Sequence, residues 1–163
     1  MSKQFVTLTE KFTNYICKND AKNLANLFTY DGVYNDYIYG CFKGRKNIQS
    51  LITEYFHRDG ENYFWEMYDL VYKDNLGYAK YHFGFSSKLK DFSGKKVVIP
   101  GIGFFKLNNG LIKEYSESVN GGLAMIQLGL SNIKMEKVFL KWFKRILKED
   151  QILKKKLNKL NLK

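Results

Sequence analysis

The sequence predicts an α+β fold, with helices first and then a long antiparallel sheet that curls into a cone around them. Two observations carry this. Up to about residue 60, apolar residues recur at helical spacing. Beyond it, four runs rich in aromatic and β-branched residues are separated by turn signals. Helices segregated from a meander in this order define the class. The length of 163 residues suits one such body, residues 1–130, followed by a basic helical extension, residues 131–163.

The first helix is marked by Phe5, Leu8, Phe12, Tyr15 and Ile16, with Thr7 and Glu10 spaced as a capping box. "KNDAKNLANLF" reads as a second short helix, capped at Asn19 or Asp20 and striped by Leu24, Leu27 and Phe28. A strand follows to about Tyr39. In it Tyr34 and Asp36 stand two apart and so share a face. "GRKNIQSLITEYFHRDG" returns to helical spacing and stops before Gly60.

The four later strands are "NYFWEMYDLVYKDN", "LGYAKYHFGFSSKL", "KKVVIPGIGFFKLNNG" and "LIKEYSESVNG". Asp74-Asn75, Asp91-Phe92-Ser93-Gly94 and Asn108-Asn109-Gly110 turn one into the next. Pro100, Gly101 and Gly103 mark an expected bulge or bend. "GGLAMIQLGL" reads as a short helix, and residues 133–160 as one long helix with aromatic residues on one side and lysines on the other.

Composition bounds the function. "MSKQFVTLTEKF" lacks the apolar core of a secretion signal, and no apolar run reaches the length of a membrane span. Cys17 and Cys41 lack paired or metal-ligand spacing and read as free thiols of a reducing compartment, which points to the cytoplasm. The net charge of +11 is unevenly placed. Residues 133–163 carry 11 Lys/Arg against 3 Asp/Glu, while the other 132 residues carry 16 against 13. Lysines outnumber arginines 24 to 3, which suits solvation better than bidentate phosphate or base recognition. The sequence therefore argues against nucleic-acid binding by the body. It has no cluster with metal-ligand spacing and no phosphate-cradling glycine loop, so no cofactor is expected.

"ND-AKNLANLFTYDGVYND", the block "GKKVVIPGIGFFKLNNGLIKEYSESVN" and the order of elements between them resemble the nuclear transport factor 2-like superfamily, over about residues 8–130. Within it the chain is similar to the branch of SnoaL-like polyketide cyclases and limonene epoxide hydrolases. The resemblance implies the cone-shaped fold, and a mouth where small ligands bind. It places Tyr34 and Asp36 on the Tyr-x-Asn pair of limonene epoxide hydrolases, and Glu117 on the acidic residue of their last strand. Their Arg-x-Asp pair falls on Tyr81 and Phe83, which argues against epoxide opening.

On that reading, strand alternation turns three sets of side chains into one aromatic cavity: Tyr63, Trp65 and Met67; Tyr81, Phe83 and Phe85; Tyr115, Glu117 and Val119. Asp36 and Glu117 become an acid–base pair, and Tyr34 a donor to a substrate oxygen. Trp65, Met67, Tyr81, Phe83, Ile99, Gly101, Tyr115 and Asn120 form the expected ligand wall. The structural alternatives stay open: Asp36 as a turn cap, Glu117 facing solvent if the register slips by one, and Tyr34 as simple packing. His57 suits a helix C-terminus and His82 the outer face of the sheet.

Two functions follow. One is a binder of a small apolar or polyketide-like molecule, with cofactor-free acid–base chemistry of the isomerase, dehydratase, cyclase or hydrolase type. The other is a non-catalytic binding or assembly module. A homodimer is expected, because related proteins pair through the outer face of the sheet. For the C-terminal helix three roles are open: packing on its own domain, covering a partner subunit or lying on an anionic membrane. Packing within a homodimer is the expected one, and this helix is the one element suited to membrane contact.

Overall fold

The computed structural model describes residues 3–160. The chain forms two compact units, residues 1–129 and residues 130–163. The first is the predicted α+β body.

Helix α1 (Lys3–Cys17) places Phe5, Leu8, Phe12 and Ile16 on one buried stripe. Thr7 and Glu10 lie inside this helix and not at its start, so the expected capping box is not formed. Helix α2 (Ala21–Asn26) is capped as expected by Asp20, whose carboxylate accepts from the Asn23 N–H. Strand β1 (Phe28–Asp36) ends earlier than the expected Tyr39. A tight turn after Asp36 folds the chain back into a short strand, β2 (Gly40–Lys43), that sequence reading did not separate. Helix α3 (Arg45–Ser50) runs on through a wider π-type stretch, Leu51–Phe56, and a last turn, α4 (His57–Asp59).

The long strands are β3 (Gly60–Lys73), β4 (Leu76–Ser87), β5 (Lys96–Asn108) and β6 (Leu111–Val119). Among the described residues six strands form one sheet in the order β2-β1-β6-β5-β4-β3. The expected antiparallel meander is present from β3 to β6. The contact from β6 to β1 is parallel, pairing Tyr34 with Tyr115. Two hairpins turn on two residues with positive φ, Asp74-Asn75 and Asn109-Gly110, a conformation that Asn, Asp and Gly tolerate best.

The sheet curls at irregularities other than the expected one. Pairing of β4 with β5 is continuous through Pro100, Gly101 and Gly103, so no bulge lies there. Register instead shifts in β3 between Glu61 and Phe64 and between Tyr68 and Val71, where Asn62 and Asp69 take positive φ, and in β6 at Lys113, opposite Lys106 and Leu107. The curled sheet closes over α1. Phe12, fully buried, meets the rings of Phe28, Tyr34, Trp65, Phe105 and Tyr115, and this aromatic cluster is the core.

Helix α5 (Gly121–Leu128) follows β6 and packs on β5. The Gln127 side chain bonds both the N–H and the C=O of Val98 at 2.9 Å, filling the edge of β5 that β6 does not reach. In the second unit the expected single helix is two: α6 (Asn132–Glu149) and α7 (Gln151–Lys159). Asp150 interrupts it, because its side chain caps α7 by accepting from the Leu153 N–H at 2.9 Å.

Candidate functional site

Inside the first unit, Gly101 and Gly103 on β5 decide where two tyrosines go. A Cβ on Gly101 would lie 2.2 Å from the Tyr81 ring, and one on Gly103 would lie 3.1 Å from the Tyr115 hydroxyl. Gly101 pairs with Tyr81 on one side and Val119 on the other; Gly103 pairs with Glu117. The missing side chains let both rings lie across β5 on its inner face. Both hydroxyls then reach one carboxyl: Tyr81 O–H donates to Glu117 Oε2 at 3.0 Å, and Tyr115 O–H at 3.1 Å. The Tyr37 N–H approaches Oε1 at 3.4 Å.

Asp36 stands at the end of β1, buried. Its Oδ1 accepts from the N–H groups of Ile38 at 2.8 Å and Tyr39 at 2.6 Å. It thus caps the β1–β2 turn and lines the cavity together with Glu117. Burial, with the Asp36 charge adding to it, pushes the Glu117 carboxyl up to about 8 against the three hydrogen bonds that favour ionisation. Both effects favour the protonated form of Glu117. Tyr81 and Tyr115 are held well above the ordinary phenol range by burial and by the neighbouring Glu117, so both keep the proton that they donate to it.

The cavity measures about 30 Å³ and is walled by Asp36, Ile38, Phe56, Trp65, Tyr81, Phe83, Ile99, Glu117 and Val119. That is room for about one water molecule, against about 300–1,000 Å³ in pockets for drug-sized ligands. Of the expected wall, Trp65, Tyr81, Phe83 and Ile99 line it. Tyr115 lies behind it and reaches it through Glu117. Tyr34 does not line it: the ring is fully buried against Phe12, Phe28 and Tyr115, and its hydroxyl has no partner. Met67 is half-buried and off the wall, and Gly101 acts through the space it leaves Tyr81. Asn120 caps α5, accepting from the Gly122 N–H at 3.1 Å.

Ile38 and Phe56 are wall residues that the expected cavity did not include, whereas Val119, placed in it by strand alternation, lines the wall. Val119 carried a signal, since it alternates with Glu117; Ile38 sits in a turn and Phe56 on a helix, where strand alternation says nothing. Trp65 presents a second buried polar atom without a partner, Nε1. His57 joins α4 to α1, its ring nitrogen 2.7 Å from the Ile16 carbonyl. His82 lies on the outer face, stacked on Tyr68. Among the described residues no group of three or more His, Cys, Asp or Glu is placed to hold a metal ion, and no helix is long and apolar enough to cross a membrane.

A curled sheet over N-terminal helices, with two carboxyls lining a small cavity inside it, defines a class of α+β cones. The chain belongs to the SnoaL-like domain family, whose model matches residues 9–115. Solved structures share the fold. A protein from Shewanella putrefaciens assigned as a SnoaL-like polyketide cyclase has 20% identity and a TM-score of 0.68, over 80% of this chain and 99% of its own. An epoxide hydrolase of Mycobacterium tuberculosis, similar to limonene epoxide hydrolase, has 12% identity and a TM-score of 0.64, over 78% and 90%. A protein of ketosteroid isomerase-like fold from Catenulispora acidiphila, in complex with trimethylamine, has 16% identity and a TM-score of 0.69, over 76% and 93%. No curated protein matches the chain.

Proposed function

We propose that this protein binds a small, largely apolar molecule carrying one oxygen function and moves protons on it by acid–base catalysis. The observation that supports this is the carboxyl pair itself: Glu117, with its protonated form favoured and two tyrosine hydroxyls fixed on its Oε2, beside the buried Asp36. A carboxyl held this far from its ordinary range is costly to fold around, and such groups concentrate at functional sites. Asp36 takes a proton from the substrate, and Glu117 gives its own to the substrate oxygen. In an isomerisation Asp36 then returns its proton to a second carbon as the enol oxygen returns one to Glu117. In a dehydration the Glu117 proton leaves with the substrate oxygen as water and the proton on Asp36 passes to Glu117, so either reaction leaves the pair as it began. The aromatic wall excludes water. Ile38 and Phe56 must move aside to admit a substrate, because the present cavity holds about one water. Two cysteines without paired or metal-ligand spacing in the sequence support a reducing, cytoplasmic location.

The same small volume supports a second reading, an assembly module whose cone is filled by its own side chains. Phe64, Tyr78, Val98 and Ile102 are exposed on the outer face of the sheet and would pair two copies as a homodimer.

Thermal-shift titration with small ketones, epoxides and phenols, on wild type and an Asp36→Asn/Glu117→Gln double variant, separates the two. A ligand at about 100 times its Kd adds roughly 2.7 kcal/mol to stability. Shifts present in wild type and lost in the variant support the acid–base reading. No shift across the panel, with a dimer in sedimentation that Ile102→Glu dissociates, supports assembly.

A further inference from the structure

We infer that α6 and α7 form a docking element for an anionic lipid surface. In α6, at 3.6 residues per turn, Lys134, Lys137, Lys141, Lys144 and Lys148 fall in one narrow sector of the helix. Ile133, Phe139, Leu140 and Phe143 occupy the sector beside it and are exposed, at 68%, 45%, 49% and 42%. Phe139 and Phe143 lie one helical turn apart, and with Asn132, Met135, Glu136 and Leu140 they line a shallow open groove along the helix, whose one acidic residue, Glu136, is outweighed by the five lysines beside it. The opposite edge of the apolar sector is covered, as Trp142 shows by being buried. The helix therefore buries Trp142 and leaves an apolar, partly aromatic stripe open directly beside its lysines.

Charge decides between occupants. The unit of residues 130–163 carries a net +8, and α7 extends the basic surface through Lys154, Lys155, Lys156 and Lys159 next to exposed Ile152. A second copy would bring the same positive charge against the stripe and be repelled. Nucleic acid would match the charge and leave the phenyl and aliphatic groups in water. An anionic bilayer satisfies both: the Phe and Leu side chains enter the boundary between headgroups and acyl chains, and the flexible lysine stems reach lipid phosphates. The helix lies in the surface without spanning it, consistent with the lack of a membrane-crossing helix among the described residues.

The experiment is flotation of the full chain with vesicles of phosphatidylcholine alone, or of phosphatidylcholine with phosphatidylglycerol. Binding to the anionic vesicles only, weakening steeply with added salt, is expected. Lys137→Glu/Lys141→Glu/Lys144→Glu should lower vesicle affinity by at least about 100-fold, from roughly five-fold per lysine removed. Phe139→Ser/Phe143→Ser should lower it by about ten-fold or more, through lost apolar burial. Circular dichroism confirms that the variants keep their helices, and the salt series on wild type tests the charge contribution without any variant. Absence of wild-type binding to anionic vesicles overturns the inference. So does unchanged binding of the Phe variant, which would leave a diffuse charge attraction with no insertion. Displacement of the vesicles by a single-stranded oligonucleotide, or a dimer that the Phe variant dissociates in place of vesicle binding, equally overturns it.

Discussion

Glu117 ties the protein's stability to pH in a direction opposite to that of most carboxylates. Its carboxyl moves from an ordinary value of 4.5 to about 8 in the folded chain. Between these values the folded state holds a proton that the unfolded state has released. The stabilisation is therefore complete below pH 4.5, falls as pH rises and is gone above about 8. At about 1.4 kcal/mol per pH unit, the whole shift corresponds to roughly 5 kcal/mol as an upper bound. The side chain is half-buried and borders a cavity with room for water, so screening trims this to an expected loss of roughly 2–3 kcal/mol. Urea unfolding of wild type and Glu117→Gln across this range gives the effect as a difference, in which the titrations of other groups cancel. Wild type should lose stability relative to the variant as pH rises, and a protonated-carboxyl stretch at neutral pH in infrared difference spectra should vanish in the variant. A difference that is flat across the window, or that grows in favour of wild type, would show an ionised Glu117 and refute the acid–base assignment.

Three further outcomes follow from the same geometry. Gly101→Ala should destabilise by about 1–3 kcal/mol, since its Cβ meets the Tyr81 ring at 2.2 Å. It should also displace the Tyr81 hydroxyl from Glu117, seen as a further rise of the Glu117 titration in the infrared. Tyr34→Phe should be neutral or stabilising by up to about 1–3 kcal/mol in denaturant unfolding, because it removes a buried hydroxyl that has no partner. A loss of ligand binding in this variant would instead return Tyr34 to the site. Phe12→Ala should cost about 3–5 kcal/mol by the same assay, since the ring is fully buried at the centre of the aromatic cluster. A loss below about 1 kcal/mol would mean that the cluster collapses to fill the space.

Local pattern made the body of the fold legible. Asp74-Asn75 and Asn109-Gly110 sit where the backbone needs positive φ, so the hairpins, and with them the meander, could be read from residues adjacent in sequence. Alternation likewise placed Glu117 beside Tyr115 and Val119. What escaped was set by pairing between distant segments. The parallel contact of β1 with β6 joins residues about eighty positions apart, and no periodicity announces it. Strand β2 has four residues, too few to establish a period. The break at Asp150 escaped because the apolar spacing continues on both sides of it, and the cap overrides that spacing.

Gly101 and Gly103 show why a site is harder to read than a fold. In sequence, two glycines two apart beside a proline are a signal of weakness in a strand. In the structure the strand is regular there, and the glycines serve the residues across from them. One accommodates the Tyr81 ring from β4 and the other the Tyr115 ring from β6. The chemistry of Glu117 depends on both, because the two hydroxyls that bond its Oε2 arrive over positions with no side chain. Tyr34 illustrates the converse. It shares the face of Asp36 as alternation requires, yet Phe12 and Phe28 pack against its ring and hold it in the core. Face is a property of the strand, whereas position along the cone is a property of the neighbours, and only the first is written locally.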